Sequence, residues 1–93
     1  MNEPLTTAQV RTFLTAILAA GTRITFSSHV EDSMRSRRVT FSEIMAVLRG
    51  GAVRPGEFEN GSWRYQVRSG KLTVVITFRS ETWVICVTTW RNR

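Results

Sequence analysis

The stretch "WRYQVRSGKLTVVITFRSETWVICVTTW", residues 63–90, decides the fold of this chain. Apolar and polar residues alternate along most of it, with the period of two that is typical of β-strands. The pairs Ser69-Gly70 and Ser80-Glu81 interrupt the alternation and mark two tight connections. The stretch therefore predicts an antiparallel meander of three strands, near residues 63–68, 71–79 and 82–90.

Upstream of the meander, "TTAQVRTFLTAILAAG" (residues 6–21) predicts a first helix. Its apolar residues recur at helical spacing and form one stripe, made of Val10, Phe13, Leu14, Ile17 and Leu18. Thr6 or Thr7 can cap the N-terminus, and Gln9 is placed to close a capping box on Thr6. Gly21 is placed to end the helix in a left-handed turn.

A short strand, "RITF" (residues 23–26), is predicted next, and Ser27 or Ser28 can cap a second helix that runs to about Ser36. A third helix begins at the capping-box pair Thr40 and Glu43 and ends at two consecutive glycines. Residues 50–62, "GGAVRPGEFENGS", are rich in glycine and contain a proline, which is typical of an exposed loop.

Helices followed by an antiparallel meander indicate an α+β protein. We expect N-terminal helices packed on a three- to four-stranded antiparallel sheet, in a single domain over residues 1–93. Residues 1–22 would form the N-terminal helix and residues 23–93 the α+β core. The single cysteine, Cys86, lies in an apolar run, and we expect a buried free thiol in a reducing cytosol.

The charge of the chain is uneven and basic, with a formal net charge of +6. Twelve of the thirteen basic residues are arginines, whose flat guanidinium group matches phosphate oxygens. Residues 63–93 carry six basic residues against Glu81 alone. Such a concentration is expected for a nucleic-acid partner, although an arginine-biased genome would produce the same usage.

Strand alternation separates two faces of the meander. Trp63, Tyr65 and Val67 share one face, and the other carries the polar residues Arg64, Gln66, Arg68, Thr77 and Arg79. Helices can cover only one face in so small a chain, so the polar face is left open, where it either binds an RNA backbone or is simply solvated. Trp90 either stacks on a base at the end of the last strand or closes the core.

The only histidine lies in the segment "ITFSSHVEDSMRSRRV", residues 24–39. His29 falls in the first turn of the second helix, and imidazole is the side chain best suited to acid–base chemistry near neutral pH. On a helical wheel, Arg37 projects within roughly 60° of the inward-facing Met34. One interpretation is a site that handles phosphates, and the other is a helix cap followed by a solvated basic face.

The segments "ITFSSHVEDSMRSRRVTFSEIMAVLRGG", "WRYQVRSGKLTVVITF" and "WVICVTTW" together resemble domain-of-unknown-function family 4258, over about residues 23–90. Residues at family positions are His29, Met34, Arg37, Val39, Glu43 and Leu48–Gly50. Ser33 and Arg38 depart from the pattern, because arginine and glycine respectively are common there. The resemblance implies kinship with the RelE-like and MqsR-like toxins of the barnase–EndoU–colicin–RelE fold group.

The resemblance implies a metal-independent endoribonuclease toxin of a bacterial toxin–antitoxin system. It would cleave RNA, ribosome-associated mRNA included, by attack of a 2′-hydroxyl on the phosphodiester, and a cognate antitoxin would hold it in check. The expected catalytic residues are His29, Arg37 and, as a weaker candidate acid, Tyr65; the expected substrate-binding residues are Arg64, Arg68, Arg79 and Trp90. No metal, cofactor or membrane is expected, and the location would be cytoplasmic.

Two alternatives stay open. The chain can be a non-catalytic RNA-binding or protein-interaction module of the same fold, or a small structural protein whose arginine-rich face docks an acidic partner. The sequence has no His/Cys cluster at metal-ligand spacing, no phosphate-binding glycine loop and no Ser/His/Asp arrangement. The first alternative predicts salt-sensitive RNA binding that survives loss of His29 and Arg37, and no toxicity.

Overall fold

A computed structural model describes all 93 residues of the chain. Its elements in chain order are α1 (Thr7–Ala20), β1 (Ile24–Phe26), α2 (Ser28–Arg37), α3 (Phe41–Gly50), β2 (Ala52–Val53), β3 (Glu57–Glu59), β4 (Ser62–Arg68), β5 (Leu72–Ser80) and β6 (Trp83–Arg91). The α+β class expected from the sequence is confirmed. No helix is both long enough and apolar enough to cross a membrane.

The helix boundaries follow the expected capping residues. The Thr6 hydroxyl accepts a hydrogen bond from the Gln9 N–H at 3.1 Å, and the Gln9 side chain accepts one from the Thr6 N–H at 2.8 Å. Gly21 ends α1 with a φ of 70°, in the left-handed region that glycine adopts readily. Thr40 and Glu43 form the same capping box at the start of α3, so both predicted boxes are confirmed.

The sheet has six strands, so the expected count of three to four was too low. The strand order is β1-β6-β5-β4-β2, with β3 pairing separately on β4. β1 runs parallel to β6, and the other pairs are antiparallel. The additional strands β2 and β3 lie in residues 50–62, which were expected to form a loop, because two- and three-residue strands are too short to show an alternating pattern.

The segment between β2 and β3 turns sharply beside β4. β2 pairs with Val67 and Arg68 at one end of β4, whereas β3 pairs with residues 62–64 at the other end. At Gly56 a Cβ atom would lie only 2.6 Å from the Tyr65 ring, so the backbone passes too close for any side chain. Asn60 and Gly61, both with positive φ, then close the β3–β4 hairpin.

One hydrophobic core joins α1, α2 and α3 to the sheet. The core cluster contains 18 buried residues, and α1 contributes Val10, Leu14 and Ile17 to it. The Phe13 and Phe78 rings meet edge to face, with centroids 6.2 Å apart. The thiol of Cys86 is buried in this cluster, as expected, and burial raises its pKa to about 12.

Tyr65 belongs to the core and not to an exposed site. Its side chain is fully buried, and its hydroxyl donates to Glu3 Oε2 at 2.7 Å while accepting from the Leu5 N–H at 2.9 Å. Burial raises the pKa of Tyr65 to about 12. The structure therefore gives this residue a role in anchoring the N-terminal segment, in place of the expected role as catalytic acid.

We expect the Tyr65→Phe variant to lose about 1–3 kcal/mol of unfolding free energy, because the buried Leu5 N–H loses its acceptor. Urea unfolding monitored by circular dichroism measures the change. Glu3→Gln is the matched control, since it keeps an acceptor for the Tyr65 hydroxyl. Equal stabilities of Tyr65→Phe and the unmodified protein would contradict this account.

Candidate nucleic-acid interface

The face of the sheet opposite the helical layer, called here the outer face, carries the predicted polar residues. Its members on β4, β5 and β6 are Arg64, Gln66, Arg68, Thr73, Val75, Thr77, Arg79, Ile85, Val87, Thr88 and Trp90. Strand register places Arg68 beside Thr73, and Thr73 beside Trp90. The polar face predicted from alternation is therefore present. A register shift in β6 also moves Thr88 and Trp90 onto this face.

Two cavities open on the outer face. The first, called the hairpin cavity, measures about 140 Å³ and is lined by Pro55, Glu57, Glu59, Arg64, Gln66, Val75, Thr88 and Trp90. The second, called the helix-end cavity, measures about 600 Å³ and is lined by Glu3, Ser27, Asn60, Gly61, Ser62, Arg64, Thr77, Phe78, Arg79, Ile85 and Val87. Because Arg64 lines both, its guanidinium group links the two cavities.

The three substrate-binding arginines expected from the sequence all lie on the outer face or its margin. Arg64 is only 22% exposed in its side chain and contacts Glu59 Oε2 at 3.9 Å. Arg79 is exposed and lines the helix-end cavity beside Arg64. Arg68 lies at the opposite end of β4, beside Thr73, and lines neither cavity. The structure thus brings two of the three together.

Helix α2 borders the outer face along β6. The Ser27 hydroxyl at its N-terminus donates to the Val87 carbonyl at 2.9 Å, and the Ser33 and Thr88 hydroxyl oxygens are 3.3 Å apart. Ser33 is buried at this contact. The contact with Thr88 fixes which side of α2 faces the sheet's outer surface.

His29 and Arg37 lie on that same side of α2. At roughly 100° per residue, each is about 40° from Ser33 around the helix axis. Both side chains are exposed, and neither makes a hydrogen bond within the protein. A rise of roughly 1.5 Å per residue separates their Cα atoms by about 12 Å along the axis.

That separation changes the expected pairing of His29 with Arg37. His29 is two residues beyond Ser27, which lines the helix-end cavity with Arg64 and Arg79. Arg37 lies at the other end of α2, where its carbonyl oxygen accepts from Arg91 Nε at 3.1 Å. His29 therefore lies at the end of α2 nearer the helix-end cavity without lining it, and Arg37 lies at the end of α2 that contacts Arg91, next to Trp90.

Arg91 holds the C-terminal end of α2 in place, a role that sequence reasoning missed. Its guanidinium group donates to the Arg37 and Arg38 carbonyl oxygens and to the Glu43 carboxylate at 3.1 Å. Arg38 has a φ of 53°, in the left-handed region, which explains why glycine suits this position in the resembled family. No local pattern reveals such a contact, because its partners are more than 45 residues apart.

The acidic residues of β3 were also missed. The composition of residues 50–62 predicts an exposed loop, and Glu57 and Glu59 are indeed exposed, but strand pairing sets Glu57 opposite Arg64 and both residues line the hairpin cavity. The signal that predicts this pairing is Asn60-Gly61, a dipeptide that favours a two-residue hairpin turn. Trp90 lines the same cavity and is half-buried, so it does not close the helical core.

Comparisons of the chain with protein-family models, with curated proteins and with solved structures found no match. The resemblance to domain-of-unknown-function family 4258 therefore stays a prediction from the residues quoted above. The structure brings together no group of three or more His, Cys, Asp or Glu side chains that could hold a metal ion.

The Glu43–Arg91 contact makes stability depend on acid pH. Hydrogen bonds from Arg91 and from the Thr40 N–H lower the pKa of Glu43 from 4.5 to about 2. A carboxyl with a lowered folded-state pKa stabilises the fold above its unfolded value and loses that contribution as pH falls through the folded value. We expect the urea midpoint to fall between pH 4.5 and 2 by more in the unmodified protein than in Glu43→Gln. Parallel pH dependences of the two proteins would contradict the assignment.

Proposed function

We propose that the outer face binds single-stranded RNA and that the protein cleaves it as a metal-independent endoribonuclease with His29 as the acid–base residue. The observation that carries the proposal is the helix-end cavity. Two guanidinium groups, from Arg64 and Arg79, line it together with Ser27, the residue that caps the helix bearing His29. His29 does not line this cavity, but it is exposed two residues beyond Ser27, so the proposal brings the imidazole and the two arginines to one RNA strand.

The shape of the surface favours a single strand. Along β5 the distance from Arg79 to Thr73, beside Arg68 and Trp90, is about 20 Å at roughly 3.3 Å per residue, which spans several nucleotides. Arginines at both ends of this path can bind phosphates, and Trp90 offers a ring on which a base can stack. A duplex would present its phosphates without exposing bases to the hairpin cavity.

The proposed reaction uses groups of the protein and the RNA together with solvent water. The His29 imidazole takes the proton of a ribose 2′-hydroxyl, and the oxygen forms a bond to the adjacent phosphorus. The bond from phosphorus to the 5′-oxygen then breaks, the leaving oxygen takes a proton from water, and the imidazolium returns its proton to the hydroxide so formed. Arg64 and Arg79 stabilise the negative charge that grows on the phosphoryl oxygens. The products are a 2′,3′-cyclic phosphate and a 5′-hydroxyl.

The resemblance to RelE-like and MqsR-like toxins supports the same proposal and adds its context. On this proposal the protein is a cytoplasmic toxin held in check by a cognate antitoxin, with mRNA as the substrate class. Arg37 is then a contact for the RNA strand beyond the cleaved bond, because it lies about 12 Å along α2 from His29.

A second candidate function is RNA binding without cleavage. It is favoured by the surroundings of His29, whose side chain has no hydrogen-bond partner in the protein to orient it. Established general bases are usually oriented by a third group. Both candidates share the outer face, and they differ in whether the unmodified protein cleaves RNA.

The RNA-binding proposal predicts which arginines set the salt dependence of binding. Each phosphate contact to a single strand contributes a slope of about 0.7 in log affinity against log salt. We expect Arg64→Ala and Arg79→Ala each to reduce the slope by about that amount in fluorescence anisotropy with a labelled RNA. Arg49→Ala is the matched control, because Arg49 lies beside α1 on the helical side of the sheet. Equal slopes for all three variants would refute the assigned surface.

The cleavage proposal predicts separate effects on rate and binding. We expect His29→Ala to reduce cleavage of RNA in EDTA by about 10²–10⁴-fold, the contribution typical of an acid–base group, with RNA affinity almost unchanged. Denaturing gel analysis of the products gives the rate. Ser28→Ala, a change at the neighbouring exposed position, is the control. If the substrate is mRNA on the ribosome, growth arrest on expression replaces the cleavage assay. A His29→Ala variant that still cleaves RNA or still arrests growth at the unmodified level would exclude His29 as the base.

A further inference from the structure

The hairpin cavity combines three chemistries that rarely meet on a solvated sheet face. Trp90, Val75 and Pro55 supply apolar surface, Arg64 supplies a cation, and the β3 carboxylates supply acceptors. At about 140 Å³, the cavity has several times the ~30 Å³ that one water molecule occupies. It therefore has room for one planar ring system next to the strand-binding surface.

The cavity is formed by the fold and not by neighbouring residues of one strand. β3 pairs only with β4, and β6 is separated from β4 by β5. Glu57 nevertheless lines the same cavity as Trp90 of β6, so the β3–β4 hairpin bends over the outer face. Gly56 permits this bend, because its backbone lies against the Tyr65 ring where a Cβ atom would clash at 2.6 Å.

The two carboxylates of the hairpin have different partners. Glu59 contacts the Arg64 guanidinium at 3.9 Å, which accounts for its charge. Glu57 is exposed to solvent and makes no ion pair and no hydrogen bond to the protein through its side chain, although strand register sets it opposite Arg64. An acceptor-only group that faces a cavity without a partner suits a ligand with N–H donors.

We propose that the hairpin cavity is a base-recognition site that selects guanine, with Trp90 as the stacking surface and Glu57 as the reader of the Watson–Crick edge. The inference rests on the proposed RNA-binding function and adds the identity of the base. Guanine presents two adjacent donors, N1–H and the exocyclic amine, to one carboxylate. Adenine and cytosine set a ring acceptor beside their amine, and uracil offers one donor between two carbonyl oxygens.

A carboxylate in this position has opposite effects on different RNAs. It repels every phosphate backbone, which weakens binding of any sequence by a protein that otherwise attracts RNA. Only a base that donates to it twice offsets that repulsion. Removing the charge of Glu57 therefore strengthens binding of RNA without guanine and weakens binding of RNA with guanine, a crossover that a purely electrostatic role does not produce.

The test uses the full chain and labelled five-nucleotide RNAs that differ only at the central base, with affinity measured by fluorescence anisotropy at fixed salt. We expect guanine to bind at least tenfold more tightly than adenine, cytosine or uracil. Inosine, which lacks the exocyclic amine, should lose about tenfold relative to guanine, as expected for one hydrogen bond to a charged group. Glu57→Gln should reduce the guanine preference to less than threefold while raising the affinity for the uracil RNA.

Glu81→Gln is the matched control, because it removes the same charge from the exposed turn between β5 and β6. If Glu57→Gln and Glu81→Gln raise the affinity for all five RNAs by the same factor, the base-recognition site is overturned. Salt-dependent binding that does not distinguish the five RNAs would overturn it as well, while leaving the proposed RNA-binding function intact. Failure to bind any of the RNAs would refute both, and circular dichroism establishes that each variant is folded.

Discussion

The structure depends on one constraint, which is that the helical layer covers only one face of the sheet. α1 and α3 bury their apolar stripes against β4, β5 and β6, and the core cluster of 18 residues also takes in Val30 of α2, which packs on β6. The outer face has no helix above it, so its polar side chains reach solvent while Thr73 and Val75 of the central strand β5 are covered by their neighbours. The open face, the hairpin that bends over it and the helix α2 at its border all follow from that arrangement.

Local patterns predicted the parts of the fold that local interactions determine. The capping boxes of Thr6 and Thr40 involve residues three positions apart, and the alternation of residues 63–90 spans whole strands, so both were readable from the sequence. β2 and β3 exist because β4 offers them an edge, and nothing in two or three residues reveals such a partner. The parallel pairing of β1 with β6 joins segments 60 residues apart, and no local sequence pattern predicts it.

In the candidate site too, local patterns predicted some features and tertiary contacts determine the others. Alternation along β4 correctly separated Arg64 from Tyr65, but only the tertiary contacts with Glu3 and Leu5 show that the tyrosine hydroxyl is already occupied. Around the axis of α2, His29 and Arg37 lie on the same side of the helix, each about 40° from Ser33. The axial rise, which a helical wheel does not display, sets them about 12 Å apart and assigns them to different parts of one surface.

The acidic residues in a basic surface bear most directly on what that surface does. A protein that only attracted phosphates would gain affinity by replacing Glu57 and Glu59, because each carboxylate opposes the +6 formal charge of the chain. Glu59 is explained by its contact with Arg64, which it can orient toward the shared wall of the two cavities. Glu57 has no such partner. Its position in the cavity that Trp90 also lines is accounted for by the proposed base recognition, which would separate base selection by the hairpin from backbone binding by the arginines.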